Sequence, residues 1–140
     1  MAAMFHISLE KIIKELKLDS LYLPCEASQI RIETNEINRT GLVFTGFYDY
    51  FDEKRIQLVG KSEFAYLLSM PLEKRKESLA AFFEHRPVAV VFTSGIEVPD
   101  YVKELAAQNG VALLGTKERT SDFLASVIAT LNLELAPRIT

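Results

Sequence analysis

Apolar positions recur along this chain with two periods, and the way the periods alternate predicts its architecture. Near the N-terminus Leu9, Ile12, Ile13 and Leu16 fall on one helical face, with Ser8 placed to cap that helix. Short strand-like pieces follow at "SLYL" and "IRIE", and "INRTGLVFTGF" has the mixed polarity and paired glycines of a short helix or loop. From Arg55 the pattern sharpens. "RIQLV" reads as a buried strand, after which Ser62 is placed to cap a helix carrying Phe64, Leu67 and Leu68 on one face. Pro71 ends that helix and opens the next, which runs to about Glu84. "VAVVF" is a second buried strand, rich in β-branched residues.

A helix bounded by Pro99 and Gly110 follows, with Val102, Leu105 and Ala106 as its stripe. "VALL" is the third buried strand. The last helix begins near Thr120 or Ser121 and turns Leu124, Val127, Ile128 and Leu131 inward. Strands separated by helices need crossover connections, which give a parallel sheet covered by helices. The expected fold class is therefore α/β.

Composition narrows the class of protein. A chain of 140 residues is most economically one domain, able to bury roughly two-thirds of its unfolded surface. A net charge of −3 gives no electrostatic reason to expect nucleic acid or an anionic membrane as a partner. The Lys74-Arg75-Lys76 run lies between Glu73 and Glu77, the pattern of a solvated helix face with local ion pairs. The single cysteine, Cys25, cannot form an internal disulfide, and neither His6 nor His85 lies near it in sequence. No signal-peptide pattern opens the chain, and "VAVVF", its longest aliphatic run, is too short to span a bilayer. A cytoplasmic, soluble domain is expected.

The first candidate for chemistry is Gly60-Lys61-Ser62, which spells the end of a nucleotide-binding phosphate loop. Such a loop needs Gly-x-x-x-x-Gly-Lys-Ser/Thr, because its backbone must curl round phosphate with amides pointing inward. Here Arg55 stands at the first glycine position, and Ile56, Gln57, Leu58 and Val59 fill the loop with residues that favour extension. Strand and phosphate loop cannot share the same residues. The carboxylates are scattered and no nucleophile-base pair is visible, so the sequence assigns no catalytic, cofactor-binding or metal-binding residue.

Two weaker signals remain. The buried strands end in "LVGKSE", "VFTSGIE" and "LLGTKER", which places Lys61, Ser62, Thr93, Ser94, Gly95, Thr116 and Lys117 at the C-terminal edge of the sheet, where α/β proteins bind ligands. That edge is a candidate site for a small anionic or polar ligand. "FTGFYDYF" packs five aromatics into eight residues, more than one element face can bury. Phe47, Tyr48, Tyr50 and Phe51 are thus candidates for a partner surface as well as for core packing. Arg39-Thr40-Gly41 just before them reads as a turn, with Gly41 supplying backbone freedom.

These stretches together resemble the N-terminal domain of the bacterial HPr kinase/phosphorylase family. "EINRTGLVFTGFYDYFDEKRIQLVGKSEFAYL" is similar to that family's Asp-Ile-Asn-Arg-Pro-Gly, Gly-Phe-Phe-Asp-Tyr-Phe and Arg-Ile-Gln-Val-x-Gly-Lys-Thr-Glu segments. "VAVVFTSGIEVPDYVKELAAQNGVALLGTKERTSDFLASV" and "LAPRIT" continue the likeness in the same order. Thr40 replaces the usual proline, which leaves the turn less rigid than the family pattern implies.

The resemblance implies a domain over residues 1–133, similar to the first domain of the Mur ligases, and the start of a linker over 134–140. It implies a non-catalytic regulatory or interaction role in an enzyme that phosphorylates and dephosphorylates a regulatory serine of the phosphocarrier HPr in carbon catabolite control. ATP and Mg are expected only in the C-terminal domain of that enzyme, which carries its phosphate loop. The implied partners are that C-terminal domain, HPr, and further copies through the full-length hexamer. The alternative is a sensor of a small phosphorylated metabolite at the strand edge.

Overall fold

The computed structural model describes residues 5–136. The first strand, β1 (Ile7–Ser8), leads into helix α1 (Leu9–Leu16), where the Ser8 hydroxyl accepts from the Lys11 amide at 3.2 Å as an N-cap should. Strand β2 (Asp19–Tyr22), a 3₁₀ turn at Ala27–Gln29 and β3 (Arg31–Ile32) follow, with β3 pairing antiparallel with β1 as a separate two-stranded ribbon. Next come β4 (Ile37–Arg39), the short helix α2 (Gly41–Phe44), β5 (Ile56–Val59), α3 (Lys61–Ser69) and α4 (Leu72–Glu84). The chain closes with β6 (Ala89–Phe92), α5 (Asp100–Asn109), β7 (Ala112–Gly115) and α6 (Thr120–Leu135).

The main sheet has the order β2-β7-β6-β5-β4, with β4 to β7 parallel and β2 antiparallel at one edge. Each buried strand sends alternate side chains to opposite faces, as the pleat requires. Ile56, Leu58, Ala89, Val91, Ala112 and Leu114 face α1 and α6, where Phe123, Val127 and Leu131 meet them. Val59, Val90, Phe92 and Leu113 face α2 to α5, against Phe82, Phe83 and Val102. The result is three layers, helices on both faces of a mostly parallel sheet. Phe82 is the hub of the second face, edge-on to Phe44 and to Phe83 at 5.2 Å each. Rings so buried contribute about 1.5–3 kcal/mol apiece.

Several expectations are corrected. The edge strand β4 lies inside a stretch that reads as helix or loop, because an edge strand with a polar sequence has no buried period. Leu68 is half exposed rather than on the inner face of α3, and Phe123 takes the core position beside the half-buried Leu124 and Ile128. Gly41 does not adopt a positive φ and simply begins α2. The turn there is held by Thr40, whose amide and hydroxyl both donate to the Leu58 carbonyl, at 3.2 and 3.0 Å. A proline would lack both donors, so threonine anchors this turn instead of loosening it.

The basic run on α4 is also more than a solvated face. Arg75 reaches back to the end of α3, donating from Nε to the Leu67 carbonyl at 3.0 Å and from Nη2 to the carbonyls of Met70 at 3.1 Å and Leu68 at 3.3 Å. It thereby satisfies the orphan acceptors of a helix C-terminus. Lys76 lies over the Tyr101 ring, 5.4 Å from its centre.

Candidate functional site

At the C-terminal edge of the sheet, Ile56–Val59 is a fully buried strand paired on both sides, so it cannot curl round a phosphate. Gly60, not Ser62, is the N-cap of α3, and Ser62 lies exposed within the first helical turn. Glu63 does the capping from inside the helix: its Oε1 accepts from the Gly60 amide at 2.7 Å. The same carboxylate takes the Arg39 guanidinium at 3.1 Å. The chain's own carboxylate therefore lies at this helix N-terminus, where its negative charge disfavours an anionic guest. Sequence reasoning passed over Glu63, although a glutamate three residues after an N-cap is the readable half of a capping box.

The connection from β7 to α6 closes the rest of this edge. It passes over the end of β6, where the Glu118 carbonyl accepts from the Ser94 amide at 2.6 Å and the Thr116 carbonyl from the Gly95 amide at 2.9 Å. It then reaches the end of β5, where Thr120 packs against Gly60 and its hydroxyl bonds that of the fully buried Thr93 at 2.7 Å. The amides of the β6 turn are thus engaged with backbone carbonyls of the chain. Both central residues of that turn, Ser94 and Gly95, take positive φ, +61° and +66°. Serine is strained there, so Ser94→Gly is expected to stabilise the fold by roughly 0.5–1 kcal/mol in urea denaturation.

The seven candidate edge residues consequently do not share one site. Gly95, Thr116 and Lys117 line a cleft of about 300 Å³ beside β2, together with Asp19, Glu97 and Asp100. Its floor is apolar at Leu21, Ile96 and Val98, and its second lysine, Lys103, lies 4.0 Å from Asp100. Three carboxylates against two lysines favour a cationic or zwitterionic guest over an anion. Lys61, Ser62, Thr93 and Ser94 do not line this cleft, and Thr93 is fully buried. No group of three or more metal-ligating side chains occurs among the described residues.

The aromatic run divides between core and surface. Phe44 is buried. Tyr48 stacks on His85, with ring centres 4.1 Å apart and planes 5° from parallel, and Phe51 meets His85 edge-on at 5.2 Å. Burial, and secondarily the charge of Glu84, pushes the Tyr48 hydroxyl above its usual pKa. Phe47 and Tyr50 remain exposed as a tilted pair with centres 6.0 Å apart. This loop is anchored by Gln57, the one polar residue on a fully buried strand. Its amide donates to the carbonyls of Asp52 at 3.2 Å and Arg55 at 3.0 Å, and its Oε1 accepts from Asn38 at 2.6 Å.

Fold and edge chemistry together define a parallel-sheet α/β domain whose Gly-Lys-Ser segment is not a phosphate loop. The family described as HPr Serine kinase N terminus matches residues 7–131, and the chain belongs to that family. Among its relatives is the HPr kinase/phosphorylase of Lachnoclostridium phytofermentans, 36% identical over 97% of this chain and 44% of its own length. The corresponding protein of Caldicellulosiruptor bescii is 38% identical over 98% of this chain and 44% of its own length. The chain therefore spans less than half the length of these relatives. A solved structure of the CBS and DRTGG domains of the regulatory region of Clostridium perfringens pyrophosphatase, complexed with the activator diadenosine tetraphosphate, is similar over 93% of this chain and 50% of that one. Its TM-score of 0.65 at 14% identity supports the α/β fold and nothing further. No described helix is long and apolar enough to cross a membrane.

Proposed function

We propose that this chain is a non-catalytic regulatory or interaction domain of an HPr kinase/phosphorylase, the cytoplasmic enzyme that adds phosphate to a regulatory serine of HPr and removes it. The observation that carries this reading is Glu63, which caps Gly60 and pairs with Arg39, setting the chain's own carboxylate at the α3 N-terminus in the segment spelled like a phosphate loop. ATP, Mg and the phosphotransfer step then belong to the part of the longer relatives that this chain does not match. The pure chain is expected to show no transfer from ATP or pyrophosphate to HPr and no saturable ATP binding by calorimetry. Phosphorylated HPr appearing with this chain alone would refute the reading.

The alternative, a sensor of a phosphorylated metabolite, has two concave places among the candidate edge residues, the cleft at Gly95, Thr116 and Lys117 and a neighbouring one where Thr116 and Lys117 meet Lys17, Asp19 and Glu118. The surplus of carboxylates in the first, and the even balance of two carboxylates and two lysines in the second, weigh against it.

A further inference from the structure

The cleft beside β2 is built by an irregularity of that edge strand. β2 shifts register against β7 between Ser20 and Tyr22, and an extra residue in a strand re-aims its side chain. Leu21 lies against Gly115, its Cδ1 3.5 Å from where a Cβ on that glycine would stand. With Ile96 and Val98 it forms the apolar floor, while Gly95 and Gly115 contribute no side chain to fill the space above. One wall is fixed, since the turn at Ser94 and Gly95 is tied to the carbonyls of Glu118 and Thr116.

The charges around this floor are not all used by the chain. Asp100 and Lys103, on the same face of α5, lie 4.0 Å apart and offset one another. Asp19, Glu97 and Lys117 make no ion pair among the described residues. Lys17 and Glu118, in the adjoining cleft, add one charge of each sign and leave the balance unchanged. Thr116 is 7% exposed and lines both clefts. Its hydroxyl accepts from the Glu118 amide at 3.2 Å, and its own proton has no acceptor among the described residues. A buried donor left unpaired is costly, so its acceptor comes from outside the chain.

We propose that this cleft binds a free basic amino acid of the lysine, ornithine or arginine type. Its carboxylate meets Lys117 and the Thr116 hydroxyl, its two cationic groups meet Asp19 and Glu97, and its methylene stem lies on the apolar floor. The unpaired groups are two carboxylates and one ammonium, the complement of a molecule with two cations and one carboxylate. Phosphate would find a single unpaired lysine facing two carboxylates. Ligand clefts run upward from about 300 Å³, so this one, at about 300 Å³, suits a guest of amino-acid size. Only the regulatory meaning of such binding rests on the reading under Proposed function; the site itself rests on residues of this chain.

Titration calorimetry of the 140-residue chain tests the site, with lysine, ornithine and arginine as probes. At least one is expected to bind saturably. Leucine, which lacks the second cation, and agmatine, which lacks the carboxylate, should bind at least about tenfold more weakly. Asp19→Asn, Glu97→Gln and Lys117→Met alter exposed side chains, so each should keep the parent's melting temperature and weaken binding at least about tenfold. Lys117→Met should also narrow the gap between arginine and agmatine, which a general loosening of the fold would not do. No saturable heat with any of the three amino acids overturns the proposal. So does binding that all three variants leave unchanged, or leucine or agmatine binding as tightly as the basic amino acid. Phosphate binding that Lys117→Met abolishes would make this an anion site and overturn it equally. Phosphorylated HPr formed by the chain alone would refute the functional reading and leave this one standing.

Discussion

Gly60→Ala is expected to destabilise the fold by about 3 kcal/mol, although its backbone is extended at φ −98° and accepts any residue. The cost is steric. A Cβ on Gly60 would lie 2.4 Å from the Thr120 hydroxyl oxygen and 2.9 Å from Glu63 Oε1. Neither neighbour retreats freely, since Thr120 is short, β-branched and bonded to Thr93, and Glu63 is held by both Gly60 and Arg39. Overpacking of this kind costs about 1–3 kcal/mol, and losing the hydroxyl pair adds about 1 kcal/mol. Because the clash is with one identified side chain, Thr120→Ala in the same molecule should restore part of the loss. A double-mutant cycle in urea denaturation is expected to return a coupling of about 1–2 kcal/mol, whereas additivity would mean that α6 does not rest on Gly60.

Arg75→Ala is expected to cost about 2–3 kcal/mol, far more than an ordinary change within a charged helical run. The guanidinium donates to three carbonyls at the end of α3, and its Nη1 also reaches the Tyr101 hydroxyl at 3.4 Å. Removing it strands acceptors at a helix C-terminus and forfeits a favourable charge on the helix dipole. Arg75→Lys should recover less than half, since one ammonium cannot reproduce a planar fork that serves several acceptors. Denaturation midpoints measure the loss, and amide exchange at Leu67 to Met70 should localise it. Lys74→Ala, one residue away and exposed, is the control expected to lie within about 0.5 kcal/mol of the parent.

What could be read in advance follows from where the physics is local. The strands β5, β6 and β7 are buried on both faces and announce themselves as apolar runs, and their helices carry clear stripes. The α/β class and the rejection of a phosphate loop at Gly60 both rest on those runs. β4 was not legible, because Ile37-Asn38-Arg39 is stabilised by β5 and by the Asn38–Gln57 bond rather than by its own pattern. Capping by Ser62 was the natural reading of the residue type, and seeing past it required knowing that Glu63 would find both Gly60 and Arg39, the latter 24 residues away in sequence. The partition of the aromatic run was not legible either. Its outcome depends on His85, which reaches Tyr48 and Phe51 only once α4 has packed. The spread of the seven edge residues was hidden for a similar reason, since strand ends can be aligned from sequence while a loop that later crosses them cannot.

The passage of Thr116–Thr120 across the strand ends also bears on synthesis. The face of the sheet that carries Ile56, Leu58, Ala89 and Val91 is covered by α1 and α6 together, so its cover stays incomplete until Leu131 has left the ribosome. At 5–20 residues per second, the interval between Gly60 and Thr120 is roughly 3–12 s. During that time this face of β5 and β6 lacks its α6 cover. This domain is therefore most exposed to misassociation just before α6 emerges, and a chain cut short before α6 should be a substrate for chaperones and proteases rather than a smaller folded domain.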